Sequence, residues 1–381
     1  MTPPRIPFLS LIPREDAPVV RQAIDRVIAS GWFVLGPEVQ AFEREFAVAS
    51  GAAFAVGVGN GTDAIALTLR ALGIGPGDEV ITSAVSAAYS ALAVLMVGAR
   101  PVFADIDPVR FTIDAAAAES AITPRTRAIL PVHLYGQAAD MAALARIASR
   151  HNLAIVEDCC QAHLATSGGL AVGTFGAAGA FSFYPTKNLG ALGDGGAVVT
   201  NDRALADRIA RLRNGGQIDR YRHQDAGVNS RLDEMQAAVL RARLPLLPGW
   251  TARRRSLASD YRRALQGSPV EAPAEVDPGH VYHLFVVRTG RTDRDALQAH
   301  LASRGIETFV HYPLPIPEQP ALAGTDPASC PRAAAACAEI LSLPLHPDLS
   351  DRDAAAVTAA IREFRVQSRQ PRRHEEQPSK E

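Results

Sequence analysis

Two residues frame the chemistry available to this chain: a lysine at 187 and a carboxylate at 158. Lys187 lies in the stretch FSFYPTKNLGALGDGG (residues 181–196), on a polar turn between two apolar runs, 177–184 and 196–200, that read as strands. Desolvation lowers an amine's pKa, and the neutral amine is the nucleophile. A lysine held at a strand end among glycines therefore suits Schiff-base chemistry. Upstream, the apolar run 153–158 (LAIVED) ends in Asp158. A lysine with a strand-end acid is the pairing that pyridoxal phosphate (PLP) requires, as imine anchor and as partner of the pyridinium nitrogen. Gln161, three residues on, can reach the same pocket and bond a ring hydroxyl.

A phosphate needs its own cradle. Residues 57–64 (GVGNGTDA) join a strand-like run to a helical one, and their glycines would present backbone N–H groups to an anion at a helix N-terminus, with Asn60 or Thr62 as cap. Residues 59–64 also fit the G-x-G-x-x-A dinucleotide fingerprint. That reading requires an acid at the end of the next strand, where Thr82 and Ser83 stand, so a monophosphate site fits better; a plain tight turn is the bland alternative. Ser182 and Tyr184 are two apart on a strand and share a face, either toward the pocket or as ordinary sheet residues. Asn229, in the stretch GVNSRLD (227–233), reads from physics as part of a helix-capping segment, and His311 reads as a structural histidine in a proline-rich loop.

Strand-like runs at 54–58, 79–82, 101–104, 127–132 and 153–157 alternate with helical runs at 64–72, 84–97, 115–122 and 141–150. Such alternation predicts an α/β fold with a mostly parallel central sheet covered on both faces, whose ligands sit at the carboxyl ends of the strands. A helix at 230–246, broken by Pro245 and Pro248, leads to a long helix at 250–265. A smaller α+β unit follows, with strands at 281–288 and 306–309 and a helix at 293–304. The expected organisation is an N-terminal arm (1–13), a large domain (14–247), a small C-terminal domain (248–366) and a disordered tail (367–381).

The bulk properties exclude several classes. With 381 residues, 47% of them hydrophobic, the chain can bury a large core, and a net charge of −1 gives no global field toward nucleic acid or membrane. The most apolar segment, 84–98, is too short to span a bilayer. Residues 1–13 lack the apolar core of a signal peptide, and a cytoplasmic location is expected. The four cysteines, 159, 160, 330 and 337, suit neither a disulfide framework nor a zinc site and read as reduced structural thiols. No metal is expected.

Taken together, the motifs GPEV (36–39), GNGTDA (59–64), EDCCQAH (157–163), 181–196, GVNSRLDEMQAA (227–238), HVYH (280–283) and LSLPLHP (341–347) closely resemble the DegT/StrS family of sugar aminotransferases, which have the aspartate-aminotransferase type of PLP fold (fold type I). The resemblance covers residues 36–365. It implies Lys187 as the Schiff-base lysine, Asp158 as the acid that keeps the pyridine nitrogen protonated, and Gln161 at the ring hydroxyl. It implies phosphate contacts from Gly61, Thr62, Asp63 and Ser182, and from Asn229 of a neighbouring subunit, hence a homodimer with shared active sites. Phe33, Tyr184, His311 and Tyr312 are the candidates on the substrate side. The implied reaction moves an amino group from L-glutamate to a nucleoside-diphosphate keto sugar, and the form Asn60-Gly61-Thr62-Asp63 leans toward a 3-keto (6-deoxy) hexose. Two departures stand out: Ala87 occupies the place of an aromatic that stacks on the ring in many relatives, with Tyr89 two residues later, and Pro317 stands where a histidine is frequent. Lysine at 187 argues against the dehydratase branch, which has histidine there. The rival readings are a cyclitol aminotransferase and a catalytically silent PLP-binding regulator.

Overall fold

The computed structural model describes residues 6–322 and 329–365. The expected tail 367–381 and the first five residues of the arm lie outside the described residues. The large domain carries strands β1 (Phe54–Val58), β2 (Glu79–Ser83), β3 (Arg100–Ala104), β4 (Thr126–Leu130), β5 (Ala154–Asp158), β6 (Ala178–Ser182) and β7 (Gly196–Thr200). They form one seven-stranded sheet in the order β1-β7-β6-β5-β4-β2-β3. Every pairing is parallel except those of β7, which runs antiparallel to both β1 and β6. The strands read as near-continuous apolar runs because helices cover both faces. On one face α3 (Gly61–Ala71), α4 (Tyr89–Met96) and α7 (Arg203–Leu212) bury Ile65, Leu69, Val94 and Ile209 against Val80, Val156 and Val198. On the other, α2 (Pro37–Ala49) packs Phe42 and Phe46 edge-to-face against Phe181 and Phe183.

The small domain is built on a two-stranded antiparallel sheet, β8 (Phe285–Arg288) with β9 (Ile340–Leu343). It is packed by the long helix α9 (Leu247–Ala264), α10 (Arg294–Ser303) and α12 (Asp351–Glu363) around Leu257, Tyr261, Phe285, Leu297 and Ile361.

Four expectations shift. The helix expected at 84–97 begins only at Tyr89, because the preceding backbone is committed elsewhere: the Ala84 N–H donates to the Ala104 carbonyl, the Ala84 carbonyl accepts from Ile316 N–H, and Ser83 and Val85 bond one another. The helix expected at 230–246 spans only Glu234–Arg243, and it breaks at the prolines as expected: Pro245 sits in a 3₁₀ turn, and Pro248 in the first turn of α9, where a missing N–H costs nothing. The strand expected at 281–288 is reduced to β8, because Val281 and Leu284 bond the loop at Tyr135 and Gly136 in the large domain and Tyr282 has φ 46°. The strand expected at 306–309 is reduced to single bridges from Ile306 to Ile6 and from Phe309 to Ser342.

Candidate active site

The carboxyl ends of β5 and β6 and the loop after β1 converge on one cavity of ≈ 1160 Å³. Its wall includes Gly61, Thr62, Asp63, Ala87, Tyr89, Asp158, Gln161, Ser182, Tyr184, Lys187 and Tyr312, so eleven of the fourteen expected site residues meet there. Asn229, Phe33 and His311 do not line it. Asn229 and Phe33 are exposed on this chain, and His311 is held beside it, its Nδ1 2.8 Å from Ser342 Oγ and its ring against Phe8.

Lys187 follows β6 in a tight turn: its N–H bonds the Tyr184 carbonyl at 2.8 Å, and Ala191 N–H returns to Phe183 O at 2.7 Å. The side chain is half-buried, and among the described residues its amine has no hydrogen-bond partner. Burial pushes its pKa below the ordinary lysine value, while the nearby Cys160 and Asp158 oppose the shift. A cation without a partner at a cavity wall is poised to lose its proton and react. Behind it, His163 Nε2 meets Ser182 O at 2.9 Å, and burial, with the charge of Lys187, drives its pKa down to about 3, so it stays neutral.

Asp158 ends β5 and is buried. One carboxylate oxygen accepts from Cys160 N–H at 3.1 Å and the other from Ser90 Oγ at 2.6 Å. A carboxylate has about four lone-pair sites, so capacity for a further donor is left on the cavity side. Gln161 is clamped at both ends: its Oε1 accepts from Tyr135 N–H at 2.8 Å and its Nε2 donates to Tyr312 OH at 2.7 Å. Both tyrosines hold left-handed backbones, φ 58° and 70°, and their rings stack.

At the far end, Asn60 caps α3 by accepting the Asp63 N–H at 2.9 Å, which leaves the N–H groups of Gly61 and Thr62 without a backbone partner among the described residues. Glycine is needed at 61: a Cβ there would stand 2.7 Å from Cys160 Sγ and 2.8 Å from Ser182 Cβ. The Asp63 carboxylate is engaged within the loop. It accepts from Ser230 Oγ at 2.6 Å and Asn60 Nδ2 at 3.1 Å, and Ser230 in turn accepts from Gly59 N–H, so its work is to shape the loop.

An unpartnered amine, a carboxylate with acceptor capacity in reserve and a helix start with free N–H groups fit a phosphorylated pyridine aldehyde. The family model for the DegT/DnrJ/EryC1/StrS aminotransferase family matches residues 15–362. The chain belongs to that family. A dTDP-3-amino-3,4,6-trideoxy-α-D-glucose transaminase from Streptomyces venezuelae is 50% identical over 370 residues, covering 95% of this chain and 96% of its own. The crystal structure of S. venezuelae DesV in complex with a ketimine intermediate superposes with a TM-score of 0.91, at 50% identity, over 95% of this chain and 100% of that one. NtdA from Bacillus subtilis, solved with bound cofactor PMP, reaches a TM-score of 0.87 at 32% identity, over 94% of this chain and 84% of that one. The fold is therefore the PLP-dependent transferase type, the protein is an aminotransferase, and its cofactor is pyridoxal phosphate.

Within this family frame, Ser90 is the residue that sequence reasoning missed. It lies in the apolar segment 84–98, and in the structure it is the second residue of α4, its hydroxyl 2.6 Å from Asp158. The departure at 87 is also resolved in part: Ala87 lines the cavity, and Tyr89 opens α4 with its side chain 63% exposed. A cluster outside the cavity, His133, Glu157 and Cys159, brings possible ligand atoms within 4.8 Å of one another. His133 Nδ1 accepts from Ala139 N–H, and Glu157 accepts from Gly173, Phe175 and Gly176 N–H, so these groups tie the loop before β6.

Proposed function

We propose that this enzyme transfers the amino group of L-glutamate to a nucleoside-diphosphate keto sugar, most simply an NDP-3-keto-(6-deoxy)hexose, in the cytoplasm, as a homodimer with shared active sites. The observation that carries the reading is the unpartnered, desolvated Lys187 amine facing the same cavity as Asp158. The dTDP-sugar transaminase similarity supports the sugar-nucleotide acceptor. No helix among the described residues is long and apolar enough to cross a membrane.

In this reading Lys187 anchors the cofactor aldehyde, Asp158 takes its pyridinium N–H, and Gln161 lies at its ring hydroxyl. Gly61 and Thr62 N–H, the Thr62 and Ser182 hydroxyls and Asn229 of a neighbouring subunit hold the phosphate. Bound pyridoxal phosphate supplies an electron sink for the electrons of the donor's Cα–H bond. Displaced by the donor amine, Lys187 Nζ is the general base that takes the α proton, and in the return half-reaction it delivers a proton to the sugar carbon that receives nitrogen. Tyr184 and Tyr89, at the outer wall, and the partner's surface meet the sugar nucleotide. One site serving two substrates in turn gives ping-pong kinetics.

The test is a visible spectrum of the protein with added cofactor, before and after L-glutamate. Conversion of the Schiff-base band to the amine form establishes the donor half-reaction. Turnover with a nucleotide keto sugar but not with an inosose then separates the sugar reading from the cyclitol one. A band indifferent to every amino acid would favour the silent regulator.

A further inference from the structure

Asp158 is buried, and among the described residues no cation lies within ion-pair distance of it, although Lys187 is near enough to feel its charge. Its carboxylate is supported by two neutral donors: the backbone N–H of Cys160 and the hydroxyl of Ser90. Ser90 is itself 1% exposed, and it is the second residue of α4, so the positive end of that helix backs the contact.

This arrangement matters once a pyridine nitrogen faces the acid. In a poorly solvated site, a carboxylate and a pyridinium share one proton and can hold it in two ways. Burial favours the neutral pair, with the proton on oxygen, because two buried charges must otherwise be kept. Donors to the carboxylate favour the ionised pair, with the proton on nitrogen. Only the second state withdraws electrons fully from the reacting carbon.

We infer that Ser90 is a positioning residue whose hydroxyl keeps the shared proton of the Asp158–pyridine pair on nitrogen. The inference rests on the reading of Asp158 as the cofactor's acid. Cys160 N–H also enforces the ionised state, but it belongs to the backbone. Ser90 is the side-chain half of the device and the half that substitution can remove. A hydrogen bond to a charged group is strong enough to move the ratio of the two states about tenfold.

The experiment loads the full-length protein with pyridoxal phosphate labelled with ¹⁵N in the ring and records the nitrogen resonance. In the wild type it should stand at the protonated position. Ser90→Ala and the near-isosteric Ser90→Cys should both move it toward neutral pyridine, with kcat down about tenfold and the KM for L-glutamate little changed. Ser90→Thr, which restores the hydroxyl, should bring back both the resonance and the rate, which a merely structural role of the side chain would not require. Folded Ser90→Ala and Ser90→Cys proteins with the wild-type resonance would overturn the inference. Asp158→Asn separates the two levels. If it shifts the resonance while the Ser90 variants do not, Ser90 has no such part; if it too leaves the resonance in place, the reading of Asp158 falls first.

Discussion

The two ends of the cavity are built differently. At the floor three side chains are already tied: Asp158 to Ser90 and Cys160, Gln161 to Tyr135 and Tyr312, Asp63 to Ser230 and Asn60. The Lys187 amine, by contrast, has no hydrogen-bond partner among the described residues, and it is the group proposed to react. At the mouth Tyr89 and Tyr184 are each more than half exposed, and Phe33 and Asn229, which do not line the cavity, are exposed on this chain as well. A preorganised floor suits the chemistry at the cofactor, because fixed dipoles need no reorganisation during the reaction. An unfinished mouth fits an edge that another molecule completes.

The floor breaks most completely at Lys187. Lys187→Ala should fold normally, since the amine makes no hydrogen bond, yet lose turnover by about 10³-fold or more, because both the anchor and the base vanish. Circular dichroism and single-turnover kinetics read the two halves of that statement; a near-wild-type rate in the folded variant would remove the lysine from the mechanism.

The mouth is tested by mixing subunits. If Asn229 serves the neighbouring site, a hybrid of Lys187→Ala and Asn229→Ala chains gathers both lesions in one site and leaves the other intact. Equal mixing of two inactive proteins then makes half of the dimers hybrids and recovers about a quarter of wild-type activity. If both residues serve the same chain's site, no mixture recovers anything.

The floor also has a pH signature. Burial holds His163 and His280 neutral with pKa values near 3, and His311 near 4, against an ordinary 6.5. The unfolded chain takes up those protons as pH falls through 6.5, while the folded chain refuses them until well below 5. Stability from these groups is therefore full above pH 6.5 and is lost as pH falls toward 4. At pH 5 the loss is on the order of 2 kcal/mol for each fully buried histidine, so Tm measured by calorimetry should drop by several degrees between pH 8 and pH 5. A flat profile would mean that the histidines are protonated in place.

How much of this was readable beforehand follows the same division. Lys187, Asp158 and Gln161 follow strand ends within a few residues, so local patterning and motif spacing place them. Ser90 was not legible: its role depends on where α4 starts, which is decided by bonds from residue 84 to residues 104 and 316, far away in sequence. The clamp on Gln161 was equally hidden, since it needs left-handed backbones at Tyr135 and Tyr312, both non-glycine positions that no turn rule selects. The antiparallel course of β7 within a mostly parallel sheet also escaped the strand–helix count. For Asn229 the reason is different in kind: one chain's sequence gives a capping segment, and a phosphate role in a neighbouring subunit comes from the family resemblance alone.

The smallest expected effect concerns the wall between floor and mouth. Ala87 lines the cavity where the family resemblance implies an aromatic stack on the ring, and Tyr89, on the same wall, is 63% exposed. Ala87→Phe should restore it. An aromatic stack contributes about 1 kcal/mol, which corresponds to roughly fivefold tighter cofactor binding. Titration of the apoprotein with pyridoxal phosphate, followed by the Schiff-base absorbance, measures that directly. The same variant narrows the route to the acceptor, so its KM for the sugar nucleotide should rise while the glutamate half-reaction stays near the wild-type rate. Loss of cofactor affinity in Ala87→Phe would instead show that the floor extends further up the wall than Asp158 and Gln161 indicate, with residue 87 already packed to the volume the ring leaves.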